Sequence, residues 1–372
     1  WDDRYAQVAA ALETAIAEGE EVGAAIAIDI GGQTVVDMWG GHADAARTRP
    51  WAADTVVNVW SSTKTVTALA ALMLIDRGLI AAHDRVADYW PEFAANGKDG
   101  VQIRHLLTHS SGVSGWDQPV VPEDILDWDG STAALAGQAP WWEPGTASGY
   151  HALTYVHLIG EVVRRVTGSP LKDFVRDEIA GPLGADFQIG AAPEDTDRIA
   201  EIIPSTEPFD LPPMDQWPEP MLKTFTGPAP EPGIANTAAW RAADIGAVNG
   251  HTNARALAKI LSVISLGGTV DGVTLLRPET VEKIFEVQLE GPDLVLAGHP
   301  LRWGLGFGLP KPETIPYVPD EKICFWGGWG GSWETMNPDR GATVAYVMNK
   351  MGPGVEGSPR TDRYFRLIYD AL

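Results

Sequence analysis

The chain has 372 residues, 45% of them hydrophobic and 21% charged, ordinary proportions for a globular protein with room for one large bilobal unit or two domains. Acidic residues outnumber basic ones 50 to 27, a formal charge of −23 that would repel a phosphate backbone or an anionic membrane, so neither nucleic acid nor membrane is expected as a partner. The single cysteine, Cys324, excludes an internal disulfide, no apolar run is long enough for a membrane span, and eight histidines without H-E-x-x-H or paired C-x-x-C supply a zinc site poorly.

In chain order, residues 5–18 carry helical spacing, with Gly19 placed to end the helix. Two apolar runs, 22–30 and 34–39, flank Gly31-Gly32, which predicts a β-hairpin. Residues 56–80 start like a strand (VVNVW) and end as an alanine-rich helix, with Ser61, Ser62, Thr63 and Lys64 at the junction. Helical spacing returns at 101–109, 150–168 and 169–179. Pro-rich loops separate these segments. The longest, 204–232, exceeds what a compact domain usually holds without a purpose and reads as a wall or lid over a pocket. Near the end come KICFWGGWGG, SWETMNPDRG and ATVAYVMNKM, three short strands with a turn at Pro338-Asp339-Arg340-Gly341. Residues 358–372 read as a capped terminal helix.

Strands that follow one another without intervening helices predict an antiparallel sheet. The expected fold is therefore α+β: an antiparallel sheet flanked by helices, built from 1–60 and 236–372. Residues 61–235 form an inserted, mainly helical lobe whose long loops cover the site.

Ser61 and Lys64 are three apart, which on a helix places them on one face. A serine hydroxyl attacks poorly unless a base removes its proton. Lysine can be that base only if burial or a neighbouring cation lowers its pKa. A helix N-terminus also directs backbone N–H groups at a developing oxyanion. The spacing alone decides nothing, because Ser169-Pro170-Leu171-Lys172 matches it equally. There the Pro at a first helical position marks Ser169 as an N-cap. At Ser61 both a cap and a nucleophile remain open, although the apolar run after Lys64 favours a buried amine.

Two further regions bear on the choice. Tyr150 stands where a loop meets a long helix, as a second base or proton relay or as an ordinary half-buried phenol. Around Phe325-Trp326-Gly327-Gly328-Trp329-Gly330-Gly331-Ser332, glycines in a strand-like context imply that something approaches the backbone closely, either a ligand or a tight bulge.

S-x-x-K on the first long helix, a mid-chain Tyr and a C-terminal Gly-rich strand, in this order, resemble the serine β-lactamase and penicillin-binding-protein superfamily. The nearest likeness is its class C branch, which includes the family VIII carboxylesterases. DRVADYWPEF, RHLLTHSSGVSG, EPGTASGYHALTY and WGGWGGS spread that resemblance over most of the chain. It implies Ser61 as the acylated nucleophile, Lys64 as its base and Tyr150 as the proton-transfer partner. The backbone N–H groups of Ser61 and Trp329 would form the oxyanion hole. Trp326, Gly327, Gly328 and His151 are the residues expected to contact substrate.

Two departures from the β-lactamase pattern concern the substrate. The Y-x-N motif becomes Tyr150-His151-Ala152, and a methyl group cannot hydrogen-bond a substrate amide. The Lys or His that attracts a substrate carboxylate is replaced by Trp326, whose indole offers one N–H and no charge. The resemblance thus implies a carboxylesterase acting on small neutral esters, with an acyltransferase or a β-lactamase/D-amino-acid peptidase as alternatives. No G-x-S-x-G is present, against an α/β-hydrolase elbow, and no cofactor or metal is expected. His109 is expected to tether a loop. A cytoplasmic location is expected, although a start at Trp1 leaves a removed leader open, and self-association is also left open.

Overall fold

The computed structural model describes residues 1–117, 120–207 and 211–372. Helix α1 (Ala6–Glu18) leads into strands β1 (Gly23–Ile30) and β2 (Gln33–Gly41). Gly31 and Gly32 turn the hairpin with φ of 58° and 80°, left-handed values that glycine adopts freely. Much later come β3 (Leu289–Pro292), β4 (Pro300–Trp303), β5 (Gly308–Leu309), β6 (Cys324–Gly327), β7 (Trp333–Asn337) and β8 (Ala342–Met348). All eight join one antiparallel sheet in the order β2-β1-β8-β7-β6-β5-β4-β3. The register pairs Ala24 with Met348 and Ile30 with Ala342, so strands from opposite ends of the sequence lie side by side inside the sheet.

The strand period of two explains the two faces of β1. Ala25 and Ala27 face the core that holds the helices of the middle of the chain, and small side chains let that layer approach closely. Ala24, Ile26 and Ile28 pack instead with Tyr5, Val8 and Leu12 and with Tyr364, Phe365 and Ile368 of the last helix, Pro359–Ala371. Ser358 caps that helix by accepting from Thr361 N. Both faces are covered, so β1 is buried almost throughout.

Helix α2 (Thr63–Asp76) is buried from Thr63 to Ile75, which accounts for a sequence apolar on every side. It packs on a helix at Thr154–Thr167, ended by Gly168 in the left-handed region. That helix starts four residues later than its spacing predicts. Before it, Tyr150 N–H donates to Asp293 Oδ1 and His151 N–H to His109 Nδ1.

Ser169 differs from expectation too. The helix at Leu171–Val175 has Pro170, not Ser169, at its N-cap position, without a side-chain cap. The Ser169 hydroxyl reaches only Pro170 O, at 3.4 Å. The long loop is not structureless: its described residues include a short helix at Glu219–Thr226.

Candidate active site

The site begins with an uncommon backbone. Trp60 has φ 48°, left-handed for a bulky residue, and turns the chain from the short strand Val57–Asn58 into α2. Its ring packs against Trp240 and, 5.0 Å away, edge-on against Trp329. The next four residues then separate in role. Ser61 Oγ lies 3.0 Å from Lys64 Nζ and accepts from the Tyr150 hydroxyl at 2.8 Å. The Ser62 hydroxyl donates to Glu334 Oε2 at 2.8 Å. Thr63 Oγ1 donates to Trp60 O and accepts from Gly250 N–H.

Lys64 is fully buried. Its Nζ has three neighbours at hydrogen-bond distance: Ser61 Oγ, Ala152 O at 2.8 Å and Ala247 O at 3.0 Å. None is a carboxylate, and burial pushes its pKa well below the usual lysine value. A neutral amine has two N–H groups and one lone pair. The two carbonyls take the N–H groups, and the lone pair is left facing Ser61 Oγ. The arrangement can therefore accept the serine proton.

Tyr150 is driven the other way. Burial, with smaller contributions from Asp293 and Glu334, pushes its pKa up, against the hydrogen bond to Ser61. It is held as a phenol, able to give a proton and not to take one unaided.

The Gly-rich segment resolves in favour of close approach by protein atoms. A Cβ on Gly327 would overlap the Trp333 ring, and one on Gly328 would overlap Val59 O and Ser332 Oγ. The glycines let the strand turn after β6 lie directly on the turn that carries Ser61. Trp326 is buried, stacked on His109 and tilted against Trp303. It lines, with Gly327 and Tyr150, a small apolar cavity of about 60 Å³.

A larger cavity of about 560 Å³ opens over Ser61 and is lined by Tyr150, Trp60, Trp329, Trp217 and Phe225 among others, with Glu231 the sole charged lining residue among the described residues. Trp217 and Phe225, together with Leu211, Pro212 and Pro228 to Pro232, come from the long loop, which thus forms one wall.

His151 departs from expectation. It lines neither cavity. Its ring is buried behind Tyr150, with Nε2 2.6 Å from Ser111 Oγ and Nδ1 2.6 Å from Gly149 O, and burial lowers its pKa to about 3. It is a neutral tether. His109 accepts from His151 N–H and stacks among Tyr155 and Trp326, the anchoring task foreseen for it.

Sequence reasoning did not find Asp293, Glu334 or the task of Ser62. Asp293 Oδ1 accepts from the N–H groups of Tyr150, Val295 and Leu296 and so holds the Tyr150 backbone. A signal for Glu334 did exist: it shares a strand face with Met336, where a buried carboxyl is unusual. Among the described residues, no group of His, Cys, Asp and Glu side chains could hold a metal ion, and no helix is long and apolar enough to cross a membrane.

Residues 8–367 match the protein family described as Beta-lactamase. An esterase/beta-lactamase of Mycobacterium tuberculosis, LipL, is 34% identical over 361 residues, which cover 94% of this chain and 82% of LipL. A solved family VIII carboxylesterase superposes with a TM-score of 0.92 at 37% identity, covering 99% of this chain and 98% of the other. A penicillin-binding protein homologue from Caulobacter crescentus gives the same TM-score at 38% identity, covering 100% and 98%.

Proposed function

Because the chain belongs to the beta-lactamase family, we propose that it is a serine carboxylesterase whose acyl-enzyme forms on Ser61. Lys64, as the neutral amine, takes the Ser61 proton while Oγ attacks the ester carbonyl. The backbone N–H groups of Ser61 and Trp329 hold the oxyanion. The Tyr150 phenol passes its proton to the departing alkoxide, and the Lys64 ammonium, which holds the proton taken from Ser61, restores the phenol and returns to the neutral amine. Water then repeats the sequence on the acyl-enzyme and releases the acid.

The observation that carries this reading is the setting of Lys64 Nζ, with two carbonyls on one side and Ser61 Oγ on the other. The esterase named among its relatives and the family VIII carboxylesterase structure support the same chemistry. We read 1–60 and 236–372 as a sheet lobe and 61–235 as a helical lobe, with substrate entering between them. The pairing of β1 with β8 supports this division.

Neutral esters fit better than anionic lactams or peptide C-termini. Trp326 stands where a cation would anchor a carboxylate, and Glu231 adds a negative charge to the large cavity. Trp326→Lys should restore that anchor, raising turnover of a chromogenic cephalosporin relative to p-nitrophenyl butyrate by about tenfold.

The direct test compares wild type with Ser61→Ala and Lys64→Ala. Wild type hydrolyses p-nitrophenyl esters and is labelled at Ser61 by a fluorophosphonate, whereas both folded variants lose turnover by at least about a thousandfold. Full activity in either variant overturns the mechanism.

A further inference from the structure

The two oxyanion donors proposed above belong to elements far apart in the sequence. Ser61 opens α2, and Trp329 follows β6. Something must hold their separation, since a shift of about 1 Å at a reacting centre can cost a hundredfold in rate.

One set of polar contacts between these elements gathers around Ser62. It occupies the N-cap position of α2, yet its hydroxyl does not cap the helix. Instead it donates to Glu334 Oε2 at 2.8 Å, across 272 residues of sequence, and lies 3.5 Å from Ser332 Oγ. Ser332 in turn donates to Val59 O at 3.2 Å, and its carbonyl accepts from Gly328 N–H at 2.8 Å. Gly328 is the residue before Trp329, and Val59 is two before Ser61. Glu334 and Trp326 are cross-strand partners, so the carboxyl is also fixed against the strand of the site.

We propose that Ser62, Glu334 and Ser332 form a buried clasp that sets the spacing of the oxyanion donors, making Ser62 and Glu334 positioning residues for the reaction. The inference rests on the acyl-enzyme reading given above.

The clasp works best with an uncharged acid. Glu334 is fully buried, and among the described residues its Oε1 has no partner, a costly state for a carboxylate. Burial lifts its pKa to about 8, against the Ser62 hydrogen bond. The groups facing it are Ser62 from α2, Trp326 and Ala345 from the flanking strands, and the phenol of Tyr150 across the site, whose pKa it raises. Lys64, on the same helix as Ser62, turns its amine toward Ala152 and Ala247. On the helix Ala254–Ser265, which packs on this strand, Arg255 and Lys259 are engaged by Asp37 and Asp271. Below about pH 8 no negative charge opposes the oxyanion from behind. Above it, ionised Glu334 does.

The test uses p-nitrophenyl butyrate for turnover, phenylboronic acid as a mimic of the tetrahedral adduct, and melting temperature. Ser62→Ala and Glu334→Leu each lower kcat by about tenfold to a hundredfold with KM within about twofold, and weaken phenylboronic acid in proportion. Their combination is no worse than the more damaging single change, because both remove one hydrogen bond. Glu334→Gln can still accept from Ser62; it keeps kcat within a few-fold and loses the decline that wild type shows above about pH 8. Lowered melting temperature with unchanged kcat and boronate affinity would mean a purely structural clasp and overturn the proposal, as would an alkaline decline that persists in Glu334→Gln. Should Glu334→Leu not fold, Ser62→Ala and Glu334→Gln decide alone. Wild type that neither turns over esters nor labels at Ser61 fails the acyl-enzyme reading, and the clasp with it. Active wild type with unaffected variants fails the clasp only.

Discussion

At Lys64 the chemistry turns on which form of the amine the site holds. Below its folded pKa the ammonium uses all three N–H groups and has no lone pair for the Ser61 proton. Activity should therefore rise with pH along a limb governed by Lys64, below the ordinary lysine range because burial depresses that pKa. The stability consequence has a definite sign. Between the depressed folded value and the ordinary unfolded one, the unfolded chain binds more protons, so the Lys64 contribution to stability rises with pH across that window. Lys64→Arg places a permanent cation at this point and should abolish kcat at every pH, which a pH–rate profile would reveal. Ser61, Lys64 and Tyr150 were singled out by a resemblance carried by three motifs in order, not by spacing alone, and the structure brings the Lys64 and Tyr150 side chains within hydrogen-bond distance of Ser61 Oγ. Ser169 and Lys172 match the same spacing with none of the surroundings. Glu334 and Asp293 were not legible as site residues, since their tasks depend on partners brought together from distant segments. Nor does a tryptophan codon announce a left-handed backbone such as that of Trp60.

Among the elements, the turn after β6 fixes the spacing to α2 by having no side chain in the way. Gly328→Ala would press a methyl group into Val59 O and Ser332 Oγ. Both are held by backbone and hydrogen bonds, so the strand must retreat. The expected outcome is a fall in kcat of about a hundredfold with p-nitrophenyl butyrate and a matching slowing of fluorophosphonate labelling. An unchanged labelling rate would show that the turn has slack. The hairpin at Gly31-Gly32 and the closing strands were readable as short runs bounded by turn residues, the pattern of strands covered on both faces. The start of the helix at Thr154 was not. Helical spacing extends back to Tyr150, but the helix begins only at Thr154.

For the whole molecule, the N- and C-terminal segments are joined by one buried acid. Glu21 is inaccessible to solvent and pairs with Arg360 at 2.5 Å while accepting from the Tyr346 hydroxyl at 2.5 Å. Burial pushes its pKa up, and Arg360 opposes that shift. Glu21→Ala strands the Arg360 cation in a place with little water and should cost about 3–5 kcal/mol. Denaturant unfolding would measure that loss, and an unchanged midpoint would deny Glu21 its role. The charge of −23 left small neutral or cationic ligands open at the level of the sequence. What composition could not convey is that the cavity itself carries the same sign, through Glu231.

The pairing of β1 with β8 also has a consequence in time. Gly23 N–H bonds the side chain of Asn349, 326 residues away, so the first strand waits for its neighbour while all the residues between them are made. Of the residues in the proposed mechanism, Ser61 and Lys64 leave the ribosome long before Trp329. A growing chain would hold its nucleophile and base for most of that interval without an oxyanion hole to make them useful. Reactivity toward a fluorophosphonate would then appear abruptly, as a clock marking the moment the sheet closes.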